Sequence, residues 1–273
     1  MPAQAPPGTR PVTSSDNPRF KEMRRLVQSA QARKRSGLSV LDGVHLVEAY
    51  RKHHGAPQQL VVSRSGMENS EIRALAQSVS GADTLLLPDT LFRRLSPVET
   101  PTGILALVRT PRPQSPPSEM GPCVMLEDIQ DPGNLGSMLR TCAAGGIRQV
   151  LLSAGSVHAW SPRVLRAGMG AHFALAVHEQ VDLQAAARAF RGTRVATRQG
   201  SPRSIFDTDL TGNVAFLFGN EGAGLSRELI GAADMVVSVP MPGPVESLNV
   251  AAAAAVCLFE RVRQLEVKNA KRS

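Results

Sequence analysis

Phe216-Leu-Phe-Gly-Asn-Glu-Gly-Ala-Gly224 is the stretch on which the reading of this chain turns. Apolar residues suited to a buried strand run straight into a loop with glycine at 219, 222 and 224. Glycine lets the main chain approach a ligand closely and adopt positive φ. The loop lacks the Lys-Ser/Thr ending of a phosphate-binding P-loop, and its glycine spacing is not GxGxxG, which disfavours nucleoside triphosphate and NAD sites. Glu221 is unusual in a loop that would otherwise welcome phosphate, and it suits a cationic ligand.

Two further segments have the same character. Downstream, Val236-Val-Ser-Val239 reads as a strand, Pro240-Met-Pro-Gly-Pro244 bends the chain, and Glu246-Ser-Leu-Asn249 begins a closing alanine-rich helix from Ser247 to about Glu266. A serine near a helix start also fits plain N-capping. Capping explains one serine, but not Asn249 within the first turn. Upstream, Leu126-Glu-Asp128 ends a strand, Asp131-Pro-Gly133 turns the chain, and Asn134-Leu-Gly-Ser-Met-Leu-Arg140 opens a helix. At about 100° per residue, Asn134 and Arg140 fall on broadly neighbouring sides of it.

Around these segments, strands alternate with helix-like stretches. From residue 120 to 273, strands are expected near 123–127, 149–152, 174–177, 194–197, 214–218 and 235–239. Such alternation predicts a mostly parallel sheet with helices on both faces and ligands at the carboxyl ends of the strands. Residues 111–119, rich in proline and serine, read as a semi-stiff linker. Residues 17–110 form a smaller α/β block. In it, a basic amphipathic helix from Asn17 to about Arg35 carries Phe20, Met23, Leu26 and Val27 on one face. Strands at Val40-Leu41, Leu60–Ser63, Thr84–Leu87 and Gly103–Val108 then alternate with helices from Gly43, over Glu68–Gln77 and over Asp89–Leu95. Residues 1–16 read as a disordered tail.

The net charge of +8 is uneven: residues 1–110 hold 15 Lys and Arg against 9 Asp and Glu, the remainder 16 against 14. A basic lobe joined to a near-neutral one fits capture of a polyanion by the first and chemistry in the second. Aromatic residues make up only 4%, against binding by rows of stacked bases. Cys123, Cys142 and Cys257 have neither disulfide nor metal spacing, and His158, His172 and His178 form no ligand set. Reduced core thiols, no metal, no membrane span and a cytoplasmic location are therefore expected.

In this order the three segments resemble the signature motifs of the SpoU/TrmH family of RNA ribose 2′-O-methyltransferases, over roughly residues 122–266. The resemblance implies a deep trefoil knot, which the residue pattern does not show and which is rare among folds. It implies S-adenosylmethionine as cofactor, contacted by Thr197, Gly200, Leu217, Gly219, Asn220, Gly222, Met241, Ser247 and Leu248. Asn134, Arg140, Glu221, Ser247 and Asn249 would carry the chemistry. Arg140 is often cast in the family as general base; an arginine is a poor base, and anchoring the flanking phosphate is the alternative. Asp42-Gly-Val-His-Leu-Val-Glu48 and Thr102-Gly-Ile-Leu-Ala106 are similar to the substrate-binding domain, akin to ribosomal protein L30e, that often precedes such catalytic domains. A homodimer and an RNA substrate are implied, ribosomal RNA ahead of transfer RNA. A non-catalytic RNA-binding protein of the same fold is the rival reading; loss of one of the five polar residues would favour it, and all are present. A related base-modifying knotted enzyme would be expected to lack the Asn…Arg and Ser-Leu-Asn pair.

Overall fold

The computed structural model describes residues 9–79, 82–96, 100–113 and 120–271. The chain divides into two compact units: Met1–Pro111 with Trp160–Phe173, and Arg112–Ala159 with Ala174–Ser273.

The first unit contains β1 (Arg10–Pro11), α1 (Pro18–Gln28), α2 (Ala30–Ser36), β2 (Leu38–Asp42), α3 (Val44–His54), β3 (Gln59–Ser63), α4 (Ser70–Ser78), β4 (Asp83–Leu87), α5 (Asp89–Leu95) and β5 (Ile104–Arg109). Its sheet has the order β1-β4-β3-β5-β2. β5 runs antiparallel to both β3 and β2, while β1, β4 and β3 are parallel. The tail expected over 1–16 is corrected in part: Arg10–Pro11 adds an edge strand beside β4, and Val12 is buried. An edge position tolerates Pro11, which has no N–H to give a second neighbour. Residues 1–8 lie outside the described residues, as do residues 114–119 of the expected linker.

The single helix expected from Asn17 to Arg35 is two helices. Asn17 caps α1, with Pro18 at its start, and Phe20, Met23 and Leu26 pack into the sheet core with Val61, Leu85 and Leu107. Ser29 then takes extended angles, and its hydroxyl accepts from the Ala32 N–H to cap α2. The break leaves carbonyls unpaired at the end of α1. Arg33 supplies them: its buried guanidinium donates to the carbonyls of Leu26 at 2.7 Å and Val27 at 2.9 Å. One basic residue of an apparently solvated run is thus a structural cap.

The second unit comprises β6 (Cys123–Leu126), α6 (Pro132–Ala144) and β7 (Gln149–Leu152), and the chain then enters the first unit through α7 (Pro162–Gly168). There Phe173 meets the Tyr50 ring edge-on at 5.4 Å, and Arg166 lies 3.8 Å from the buried carboxylate of Asp42. The second unit resumes with β8 (Ala176–His178), α8 (Leu183–Ala189), β9 (Thr193–Thr197), β10 (Val214–Phe218), α9 (Arg227–Ala232), β11 (Met235–Val237) and α10 (Val250–Ala270). Its six strands, ordered β11-β9-β10-β6-β7-β8, are all parallel. β6 and β10 are buried along their whole length, as central strands covered on both faces must be.

The chain runs outward from β6 through β7 to β8 and restarts on the other side of β10. That reversal opens a crevice at the carboxyl ends of β6 and β10, where open α/β sheets bind ligands. α10 packs on α6. Among the described residues no helix is long and apolar enough to cross a membrane.

Replacing Arg33 with alanine should strand the two carbonyls at the end of α1 and cost about 1–3 kcal/mol of stability. Urea unfolding of the full chain measures it; an unchanged midpoint would refute the capping role.

Candidate active site

Because β6 and β10 are hydrogen-bonded neighbours, the loops that leave their carboxyl ends lie side by side. Asp128 has a left-handed backbone, φ 52°, an uncommon conformation for a residue with a side chain. Its carbonyl accepts from Asn220 Nδ2 at 2.8 Å, and its carboxylate accepts from the Ser153 hydroxyl at 2.6 Å. The turn therefore points the next residues toward the glycine loop.

There Glu221 holds them. Its carboxylate accepts from the N–H groups of Gln130 at 3.1 Å and Asp131 at 3.0 Å, and from Asn134 Nδ2 at 3.0 Å. Burial alone would raise the Glu221 pKa; the bonds from Asn134, Asp131 and Gln130 outweigh it and hold the carboxyl below its ordinary value. The charge that seemed suited to a cationic ligand is committed to clamping two loops.

The clamp extends into the last helix. Asn134 follows the capping Asp131 and Pro132 in the first turn of α6, so it does not itself open the helix. Its Oδ1 accepts from Asn249 Nδ2 at 2.9 Å. Asn249, rather than Ser247, caps the closing helix: its Oδ1 accepts from the N–H groups of Ala251 at 2.9 Å and Ala252 at 3.3 Å. The helix accordingly starts at Val250, later than expected.

Beside this network lies a cleft of about 310 Å³, the lower end of the range for small-molecule sites. Of the expected cofactor contacts, Thr197, Gly219, Asn220, Gly222, Met241, Ser247 and Leu248 line it, and so does Glu221. Leu217 does not; it is fully buried in β10, where its carbonyl accepts from Thr197 Oγ1 at 3.1 Å. Gly200 sits in the turn after β9 with φ 69°, also outside the lining. Asn134 and Asn249 are not in the lining; Asn134 is bonded to Glu221, which is. Arg140 is exposed on α6, outside the lining, and among the described residues its guanidinium has no hydrogen bond or ion pair.

Gly219 has a task other than approach to a ligand. A Cβ there would run into the backbone of Gly224, where Asn220 and Gly224 bond to each other and close the loop on itself. Gly224, with φ 70°, completes that turn. Sequence reasoning missed Arg198, Gln199, Val237, Ser238 and Glu246 as lining residues. The placement rule for strand ends could have found most of them, since they lie at or just past the ends of β9 and β11.

A parallel sheet whose central strands end on interlocked glycine and asparagine loops, around a cleft with apolar walls and many backbone polar groups, defines an α/β domain for a nucleoside-like cofactor. The chain belongs to the SpoU rRNA Methylase family, whose profile matches residues 121–259, and the MRM3-like substrate binding domain matches residues 17–106. It is 30% identical to the 23S rRNA (guanosine(2553)-2′-O)-methyltransferase of Bacillus subtilis, over 91% of this chain and 97% of that one. It is 32% identical to an uncharacterized tRNA/rRNA methyltransferase of Synechocystis, over 93% of both chains. Among solved structures, the SpoU methyltransferase AviRb of Streptomyces viridochromogenes in complex with AdoMet superposes with a TM-score of 0.80 at 26% identity, over 92% of this chain and all of that one.

The Glu221 clamp has a pH signature. Because the folded pKa is depressed, its contribution is present above the pKa of an unfolded glutamate and disappears as pH falls through the lower folded value. NMR shifts of the Gln130 and Asp131 amides should therefore move together in acid, and Glu221→Gln should displace both at neutral pH. Amide signals indifferent to that substitution would count against the clamp.

Proposed function

We propose that this chain transfers the methyl group of S-adenosylmethionine to the 2′-hydroxyl of a ribose in ribosomal RNA. The observation that carries the reading is the ordered tie of Asn249, Asn134 and Glu221 at the edge of a nucleoside-sized cleft. It is supported by relatives whose names specify 23S rRNA 2′-O-methylation and by related structures with AdoMet bound. The donor set fits that cofactor: Met241 and Leu248 offer apolar walls for adenosine, and the loops at Gly219–Gly222 offer main-chain polar groups. When bound, the cofactor supplies an electrophilic methyl group on a sulfonium centre.

The chain's own residues do the positioning, which can lower a barrier by several kcal/mol, on the order of 7–11 in favourable cases. Ser247 lines the cleft two residues before the fixed Asn249, so its hydroxyl is held where it can orient the ribose. Arg140 is exposed and unpaired among the described residues. A permanent cation in that state suits binding the phosphate beside the acceptor ribose and steadying the developing alkoxide.

Residues 17–110 serve as the RNA-holding domain, residues 111–119 as linker and residues 120–273 as the methyltransferase domain. The exposed Lys21, Arg24 and Arg25 of α1 support the first assignment, since phosphate contacts dominate RNA affinity. The knot of the family agrees with β11 lying beyond β9 and with the return of α10 onto α6. Three buried, unbridged cysteines fit work on ribosomal RNA in a reducing cytoplasm.

Deleting the gene should remove one 2′-O-methylated nucleoside from ribosomal RNA, read by mass spectrometry. Wild-type protein should restore it and Arg140→Ala should not, while cofactor affinity stays within about threefold, or ~0.7 kcal/mol. Unchanged ribose methylation in every RNA pool would sink the proposed function. A large loss of cofactor binding would sink only the role given to Arg140.

A homodimer is part of the same proposal. α10 exposes Phe259 at 49% and Val267 at 44%, large apolar groups that a second copy would cover. Sedimentation equilibrium should return twice the chain mass at micromolar concentration; a single-chain mass would refute the dimer.

A further inference from the structure

Two charged side chains of the cleft stand outside the Glu221 clamp. Arg198 follows β9, and Glu246 lies in the bend before α10; both line the cleft and both are exposed. Among the described residues, neither side chain has a hydrogen bond or an ion pair. The remaining charged group in the lining, Glu221, already receives its three N–H donors. Among the described residues, one cation and one anion without partners therefore face a cleft whose remaining lining, apart from the committed Glu221, is apolar, neutral polar or main-chain.

Adenosine carries no charge to match them. The amino-acid end of an S-adenosyl amino acid carries one carboxylate and one ammonium group at neutral pH. We propose that Arg198 binds the carboxylate and Glu246 the ammonium of the cofactor's amino-acid end, so that this pair separates S-adenosyl amino acids from plain nucleosides. The inference rests on the proposed cofactor. Arginine suits the task because its planar fork matches a carboxylate in a two-point contact. Its position just past β9 follows from the rule that ligands lie at the carboxyl ends of parallel strands.

The test compares two ligands on the full chain without RNA, by titration calorimetry. S-adenosylhomocysteine and 5′-methylthioadenosine share adenosine and a neutral thioether sulfur, and differ in the amino-acid end alone. Arg198→Ala and, separately, Glu246→Gln should each weaken S-adenosylhomocysteine roughly three- to fivefold, the upper part of the range for losing a solvent-accessible charge pair. 5′-Methylthioadenosine should stay within about twofold, and Arg198→Lys should recover part of the loss.

Equal weakening of both ligands, with no recovery by lysine, would mean a damaged cleft and overturn the inference. No change in either ligand would also overturn it and leave Arg198 free for an RNA phosphate. If the unaltered protein bound neither ligand, the proposed function itself would fail, and the inference with it.

Discussion

The site depends on one carboxylate that joins two neighbouring loops. β6 and β10 pair along their length, but pairing stops at the strand ends, and each loop beyond would otherwise be free to choose its own path. Glu221 removes that freedom by accepting two main-chain N–H groups and one side-chain amide from the start of α6. Those N–H groups belong to the cap residue of α6, Asp131, and to the residue before it, Gln130. An anion at that position is favoured by the positive end of the helix as well as by direct bonds. The direction of α6, the cap of α10 and one wall of the cleft are consequences of this tie.

The two units use their sheets differently. In the first, an antiparallel strand, β5, lies between β3 and β2, and the exposed Lys21, Arg24 and Arg25 sit on a helix outside the sheet. In the second, every pairing is parallel, so all strand ends of one kind gather on one side. That uniform polarity is what brings segments far apart in sequence, at 128–134, 197–200, 219–224 and 238–249, to a common edge. A mixed sheet could not gather them so completely. The excursion of Trp160–Phe173 into the first unit leaves this arrangement intact, because it occurs between β7 and β8, away from the strand pair that carries the site.

The α/β class, the approximate place of every strand except the edge strand β1 and the strand-end loops that line the candidate cleft were legible in the sequence. Apolar runs of four or five residues punctuated by glycine and proline have few other readings. What stayed hidden were features set by a single polar contact at a distance in the chain. Arg33 looks like one of a solvated Arg-Lys-Arg run, yet its guanidinium is aimed at carbonyls six and seven residues back. Val12 lies in a polar, proline-rich stretch whose composition speaks for disorder, and only the presence of an open edge at β4 explains its burial. Glu221 was recognisable as unusual, but its partners lie about 90 positions away, where no local pattern can announce them. The excursion through α7 has no signal of its own, since a short amphipathic helix looks the same whichever unit it packs in.

The choice of asparagine at both 134 and 249 follows from the direction of the hydrogen bonds. Asn249 accepts from helix N–H groups through Oδ1 and donates through Nδ2 to Asn134. Asn134 accepts that bond and donates in turn to Glu221. Each amide passes the polarity on, and the series ends on the anion that needs donors. Serine at 249 could cap the helix, but its shorter side chain would not also span to Asn134. Aspartate at 249 could cap at least as well, but would set an acceptor against the Asn134 oxygen. Aspartate at 134 would bring a second negative charge against Glu221 and remove its third donor. A helix cap alone would accept any of several residues; a cap that must also feed a distant carboxylate calls for an amide. The same residue thus answers to local capping and to the site, and neither demand by itself would have selected it.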